Sequence, residues 1–298
     1  MDRRQALGFL AGAGGALVLP HAAAQAPATA RAIPATSEKL AAVGLGTWIT
    51  FDVTSAADRA VRGEVMRAFF EGGGRLVDSS PMYGASEETI GAALPANGKA
   101  MFSATKVWTV GALAGRRQIE NSYRLWKVQR FDLLQVHNFL DYEAHLATLR
   151  RLKSEGRVRY IGVTTSHGRR HDLAEKIMRE EPIDFIQFTY NLNDREAEER
   201  LLPMAADKRI AVIINRPFDG GNQFGTKTAK ALPGWAKDID CASWAEAFLK
   251  WIVAHPAVTC AIPGTGKPGH MLDNLAAGSG ALPDASMRKR MAQHFDSL

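Results

Sequence analysis

Eight short apolar runs, alternating with longer stretches of helical periodicity, are the feature that most narrows what this chain can fold into. They are Val43 to Trp48, Arg75 to Asp78, Met101 to Val107, Phe131 to His137, Val158 to Thr164, Ile183 to Phe188, Ile210 to Asn215 and Val258 to Pro263. Between them, segments such as Arg59 to Phe70, Arg117 to Val128, Tyr142 to Lys153, Arg170 to Arg179 and Ser243 to Ala254 repeat apolar residues at helical spacing. Continuous apolar runs suit strands buried on both faces, as a parallel sheet requires. Gly72-Gly73-Gly74 and Gly156 stand where helices should end. An open doubly wound sheet would carry a G-x-G-x-x-G fingerprint after its first strand, and Gly44-Leu45-Gly46-Thr47-Trp48-Ile49 does not complete it. The expectation is therefore an α/β chain folded as one (β/α)8 TIM barrel over residues 39–298.

The N-terminus reads differently from the rest. Arg3-Arg4 precede a Gly- and Ala-rich apolar stretch from Ala6 to about Pro20, and Ala22-Ala23-Ala24 and Ala24-Gln25-Ala26 both fit the A-x-A pattern of signal cleavage. Residues 1–26 are read as a signal peptide of the twin-arginine type, which implies the twin-arginine export machinery as a partner and a periplasmic location. If the leader does not act, the protein stays in the cytoplasm. Residues 27–38 are read as a linker. No later apolar span is long enough for a membrane helix. The net charge of +6 is spread over pairs such as Arg116-Arg117, Arg150-Arg151 and Arg169-Arg170 without interleaved aromatics, which argues against a nucleic-acid partner. Cys241 and Cys260 show no metal spacing, and Cys260, in an apolar run, suits a buried free thiol better than a disulfide.

In a barrel of this kind the C-terminal strand ends meet at one face, where chemistry is done. Asp78, Lys106 and His137 close three consecutive runs, and Tyr83 follows Asp78 in the same loop. Singly, each suits a bland role: a helix cap, a solvated lysine, a core imidazole, a packing aromatic. Together they can move a proton to a carbonyl oxygen. A free tyrosine, with a pKa near 10, is a poor acid at neutral pH. A Lys106 ammonium held by Asp78 would lower that value, and His137 would donate to the charge growing on the carbonyl oxygen. Such a set needs a hydride source, which a cofactor supplies. His167 and His171 have the spacing of one helix face, but Arg169-Arg170 lie between them and no carboxylate or cysteine ligand is near, so no metal site is expected.

The segment Asp78-Ser79-Ser80-Pro81-Met82-Tyr83-Gly84-Ala85-Ser86-Glu87, with Thr105-Lys106-Val107-Trp108 and Leu134-Gln135-Val136-His137, resembles the motifs of the aldo-keto reductases, from about Leu40 to Ala277. The resemblance implies an NAD(P)-dependent oxidoreductase that reduces a small aldehyde or ketone, with Tyr83 as proton donor. It places Trp48, Tyr83, Trp108, His137 and Asn138 at the substrate pocket. Cofactor contacts would come from Gly46, Thr47, Asp78, Thr164, Thr165, Gln187, Asn215, Arg216, Pro217 and Phe218. The run Ile262-Pro263-Gly264-Thr265-Gly266-Lys267-Pro268-Gly269-His270-Met271-Leu272-Asp273-Asn274 is similar to the family's cofactor segment. It adds Ile262, Pro263, Gly264, Thr265, Lys267, His270, Asp273 and Asn274. A lysine there can pair with a 2′-phosphate, which favours NADP(H) over NAD(H).

Three departures fall in this site. Thr164-Thr165 stands where the family has Ser-Asn, and Asn138 where some members carry a tryptophan. Asn215-Arg216-Pro217-Phe218 stands where many have an aromatic followed by Ser-Pro-Leu, and Asn215 cannot stack on a nicotinamide ring. A cofactor-binding regulator with little turnover, or an isomerase or dismutase using retained NADP, is the alternative reading. The stretch Asp219 to about Asp240, opened by Gly220-Gly221, is read as a lid.

Overall fold

The computed structural model describes residues 29–225 and 228–298, so the leader read from residues 1–26 lies outside it. The chain opens with β1 (Ala30–Ala32) and β2 (Lys39–Ala41), which pair antiparallel. Eight parallel strands follow: β3 (Leu45–Gly46), β4 (Leu76–Asp78), β5 (Phe102–Val107), β6 (Phe131–Val136), β7 (Val158–Thr164), β8 (Phe185–Thr189), β9 (Ala211–Asn215) and β10 (Cys260–Ala261). Between and after them run α1 (Ala56–Glu71), α2 (Ser86–Ala93), α3 (Ala112–Trp126), α4 (Tyr142–Ser154), α5 (His171–Glu180), α6 (Leu201–Asp207), α7 (Trp244–Val253), α8 (Pro268–Ala276) and α9 (Ala285–Asp296). Each strand pairs with the next in order, and bridges Val43 to Ala261 and Gly46 to Gly264 bring the first and last strands together. The result is the expected (β/α)8 barrel. Its seam is short, because β3 and β10 hold only two residues each of the longer apolar runs read from the sequence.

The alternation of side chains along each strand sorts the residues into two layers. Inward positions form one buried cluster that includes Leu76, Phe102, Ala104, Leu133, Tyr160, Phe185, Ala211, Ile213, Cys260 and Ile262. Outward positions such as Val77, Val107, Leu134, Val163, Ile186 and Val212 pack under the helices. Going up the inward rows, apolar residues give way to polar ones: Leu76 to Asp78, Ala104 to Lys106, Leu133 to Gln135, Phe185 to Gln187, Ile213 to Asn215. A period of two thus sets a polar layer at the C-terminal mouth on an apolar stack.

From residue 29 on, the stretch read as a linker is part of the fold. Ile33, fully buried, and Leu40 join the inward cluster and close the barrel at the end opposite the mouth. The turn is fixed by polar contacts, since Tyr160 Oη donates to Glu38 at 2.7 Å and Arg159 bridges Glu38 and Asp132. The composition of that segment resembles a linker because a tight hairpin uses the same turn-forming residues. Both cysteines are free, Cys260 buried inside the barrel. Among the described residues no helix is long and apolar enough to cross a membrane.

Candidate active site

A cavity of about 1090 Å³ opens at the C-terminal mouth, and the polar layer is its floor. Asp78 ends β4 and Lys106 stands one residue before the end of β5; their side chains form an ion pair almost wholly removed from solvent. Lys106 Nζ also donates to the Ser79 carbonyl at 2.8 Å. The second oxygen of Asp78 accepts from Gln135 Nε2 at 3.1 Å and Gln187 Nε2 at 3.2 Å, while Thr47 Oγ1 donates to its main-chain carbonyl at 2.9 Å. Burying this carboxylate is tolerable because lone pairs on both oxygens have donors. Burial alone would pull the Lys106 ammonium down, but Asp78 and Tyr83 outweigh it and its pKa is raised, so Lys106 stays charged.

Tyr83 and His137 stand over this pair, their rings edge to face with centroids 5.6 Å apart, and Lys106 Nζ lies 5.0 Å from the Tyr83 ring centre. The Tyr83 phenol is not lowered as the residue types suggested. Burial pushes it up, and the pull of Lys106 in the opposite direction is the smaller effect. The phenol therefore keeps its proton at neutral pH, which suits an acid. Burial, followed by the Lys106 charge, pushes His137 down to about 2, so its imidazole is neutral. Its Nδ1 lies 2.9 Å from Ser80 Oγ, which already accepts from the Met82 backbone N–H at 3.2 Å. Ser80 has its own proton to offer Nδ1, and in that tautomer the imidazole hydrogen stands on Nε2.

The cavity wall brings together most of the residues read from the sequence: Gly46, Thr47, Trp48, Asp78, Tyr83, His137, Asn138, Thr164, Thr165, Gln187, Asn215, Arg216, Pro217, Phe218, Ile262, Gly264, Thr265, His270, Asp273 and Asn274. Four others stand off it, the first being Lys106, which is fully buried beneath the floor. Trp108 is 40% exposed on the flank, its backbone tied to the Gln118 side chain, so the expected pocket role does not follow from its position. Pro263 is buried outside the lining, and Lys267 is exposed at the N-cap of α8, between Thr265 and His270. Asn215 is turned into the barrel: its Nδ2 donates to the Thr165 carbonyl at 2.8 Å and Gln187 Oε1 at 3.3 Å, and its Oδ1 accepts from Thr189. Thr165 spends its hydroxyl on the Arg169 carbonyl at 2.8 Å.

Sequence reading missed Ser80 and Gln135, although Gln135 shares the inward row with Leu133 and Ser80 lies inside the Asp78–Tyr83 loop. It also missed wall residues Ile49, Met82, His167, Arg169 and Arg170. His167 and His171 do not share a helix face. His167 sits in a turn at φ 62° on the cavity wall, whereas α5 begins at His171, which pairs with Glu196 at 3.3 Å. Only the first part of the Asp219–Asp240 stretch borders the cavity, through Gly220, Gly221, Phe224 and Thr228. Trp235 and Ile239 are buried, which anchors the remainder.

The cavity fits a dinucleotide as well as a small carbonyl compound. Its volume is at the upper end of ligand sites. Thr50 Oγ1 and Arg216 Nε are buried in its wall with no protein partner. At Gly264 a Cβ would approach the Gly46 carbonyl to 3.2 Å, so the first and eighth units meet closely there. Arg62 clamps the same two loops, donating to the carbonyls of Thr50 and Gly266.

Comparison with known proteins agrees with this geometry. The family model described as "Aldo/keto reductase family" matches residues 42–292, and the chain belongs to that family of carbonyl oxidoreductases. It is 31% identical over 275 residues to aldo-keto reductase YhdN of Bacillus subtilis, spanning 77% of this chain and 82% of that one. It is 26% identical over 214 residues to the NADH-specific methylglyoxal reductase of Escherichia coli, spanning 61% and 65%. Among solved structures, the holo form of AKR11C1 from Bacillus halodurans superposes with a TM-score of 0.76 at 19% identity, covering 90% of this chain and 96% of that one. A Klebsiella pneumoniae aldo-keto reductase in complex with NADPH superposes with a TM-score of 0.71 at 24% identity, covering 87% and 92%.

The depressed His137 pKa links stability to pH. A histidine that takes its proton less readily when folded adds stability above its ordinary value of 6.5. That stability is lost as pH falls from there toward about 2. In urea unfolding of wild type and His137→Gln, the stability difference should shift against wild type as pH drops from neutral to about 4. A difference independent of pH would mean that His137 titrates normally.

Proposed function

We propose that this protein reduces an aldehyde or ketone to an alcohol with NADPH, Tyr83 giving the proton to the carbonyl oxygen. The single observation behind this reading is a phenol and an imidazole packed edge to face on one cavity wall over the buried Asp78–Lys106 ion pair. NADPH supplies the hydride when bound. The carbonyl oxygen sits between Tyr83 Oη and His137 Nε2, and both donate to it as charge grows. As the phenol loses its proton, the nearby Lys106 ammonium stabilises the phenolate, and Asp78 holds that ammonium in place. Gln135 and Gln187 fix the carboxylate, so the floor does not reorganise during transfer. Gly46, Thr47, Gly264, Thr265, His270, Asp273 and Asn274 would hold the dinucleotide. Lys267, at the N-cap of α8, would meet its 2′-phosphate together with unpaired backbone N–H groups.

Tyr83→Phe removes the donor proton and little else, so turnover on a panel of simple aldehydes should fall roughly 10²- to 10⁴-fold. NADPH binding, followed by quenching of tryptophan fluorescence, should persist. Unchanged turnover would remove Tyr83 from the mechanism, and tight binding without turnover in wild type would favour a cofactor-retaining regulator or isomerase.

In the same titration Lys267→Ala should weaken NADPH binding by roughly tenfold, the scale of one charge-assisted contact, and NADH binding much less. Equal losses would mean that Lys267 does not read the 2′-phosphate.

Export through the twin-arginine route belongs to the same proposal and rests on Arg3-Arg4 and the alanine-rich segment after them. Cell fractionation should find a shortened chain in the periplasm and the full-length chain retained inside after Arg3→Lys/Arg4→Lys. Equal distribution of the two would refute export by this route.

A further inference from the structure

One wall of the cavity carries positive charge that proton transfer does not use. Arg169 and Arg170 line it, with His167, on the loop between β7 and α5, and Arg216 stands at the end of β9. His167 is held toward its neutral form by burial first and then by Arg216 and Arg169, so both of these arginines lie close enough to act on it. Arg216 is paired with Asp219 at 3.1 Å. Among the described ion pairs neither Arg169 nor Arg170 has a carboxylate partner. Of the nearby acids, Asp194 lies against Gly168, where a Cβ would come within 3.0 Å of it, and Glu196 is taken by His171.

The loop is built rather than loose. Thr165 Oγ1 donates to the Arg169 carbonyl at 2.8 Å, and the His167 N–H donates to Thr189 Oγ1 at 2.9 Å. His167 and Arg170 are held at φ 62° and 58°, left-handed values that cost free energy in side chains of this size and persist only where neighbours enforce them. Arg170 Nη1 donates to the Asn138 carbonyl at 3.1 Å, and its guanidinium lies 5.5 Å from the Phe139 ring centre. Asn138 follows His137, so Arg170 is tied to the main chain one residue beyond the imidazole. The same cavity also carries apolar, exposed side chains, Trp48, Ile49 and Met82. The two sets of side chains together suit a molecule with an apolar body and a negative end.

We propose that the β7–α5 loop is a subsite for an anionic group, and that the substrates are carbonyl compounds bearing a carboxylate or phosphate across an apolar spacer. The proposal rests on the reductase reading of the same cavity. With NADPH as reductant, 4-carboxybenzaldehyde should exceed 4-methylbenzaldehyde in kcat/KM by at least about tenfold, equivalent to about 1.4 kcal/mol. The advantage should lie in KM and shrink as salt is added. In Arg169→Ala/Arg170→Ala the ratio should collapse toward one. In Arg169→Lys/Arg170→Lys, which keeps the charges, most of it should remain, separating charge from collapse of the loop.

A wild-type ratio near one, or a ratio that survives the double alanine change, overturns the subsite. So does a double alanine variant that keeps the ratio but loses NADPH affinity, since the arginines would then serve the cofactor phosphates. If neither aldehyde is reduced, the reductase reading fails, and calorimetric titration of the protein with 4-carboxybenzyl alcohol and benzyl alcohol still decides the subsite. Binding that needs both the carboxylate and the arginines upholds it; equal binding of the two alcohols overturns it.

Discussion

The buried ion pair of Asp78 and Lys106 is the constraint on which the rest of the site depends. Two charges held away from water cost several kcal/mol each unless their remaining donors and acceptors are engaged. The barrel meets that demand with side chains from two further strands and from the loop after β3. Gln135 from β6 and Gln187 from β8 take one oxygen of Asp78, and Thr47, just beyond β3, holds its main chain. Gln187 in turn is held by Asn215 of β9. The polar layer at the mouth is therefore one connected network, and its members are confined to the top because only there does the inward row leave the apolar stack.

That network sets opposite fates for the two groups above it. Burial favours the neutral form of both, so the Tyr83 phenol is raised and the His137 imidazole lowered. Lys106 opposes the first shift and reinforces the second. Both groups thus carry a donatable hydrogen at neutral pH. The effect of Lys106 on Tyr83 that residue types alone suggested is present but outweighed by desolvation, a quantity no sequence pattern reports.

Asn215 shows how a departure from the family pattern is absorbed. An aromatic ring at the end of β9 would project over the cavity, whereas the amide folds back and joins the network through Thr165, Gln187 and Thr189. The adjoining Arg216 instead reaches across the mouth, its guanidinium 5.9 Å from the Trp48 ring centre. The site keeps its floor while changing the character of one wall, from a stacking surface to a cationic one.

The sequence by itself determined the eightfold alternation, the order of the strands and the four residues that close or follow three of them. It could do so because strand and helix periods are local properties, and a period of two puts Asp78 and Lys106 on inward rows wherever the barrel is closed. Tertiary structure alone decided that residues 30–41 plug the barrel, that Trp108 and Lys267 stand off the cavity, and that His167 and His171 part company. It also decided that Arg169 and Arg170 meet the cavity, Arg170 at the Asn138 carbonyl. Each of these depends on where a loop crosses a neighbouring unit, and such contacts between residues far apart in the chain leave no period in the sequence to read.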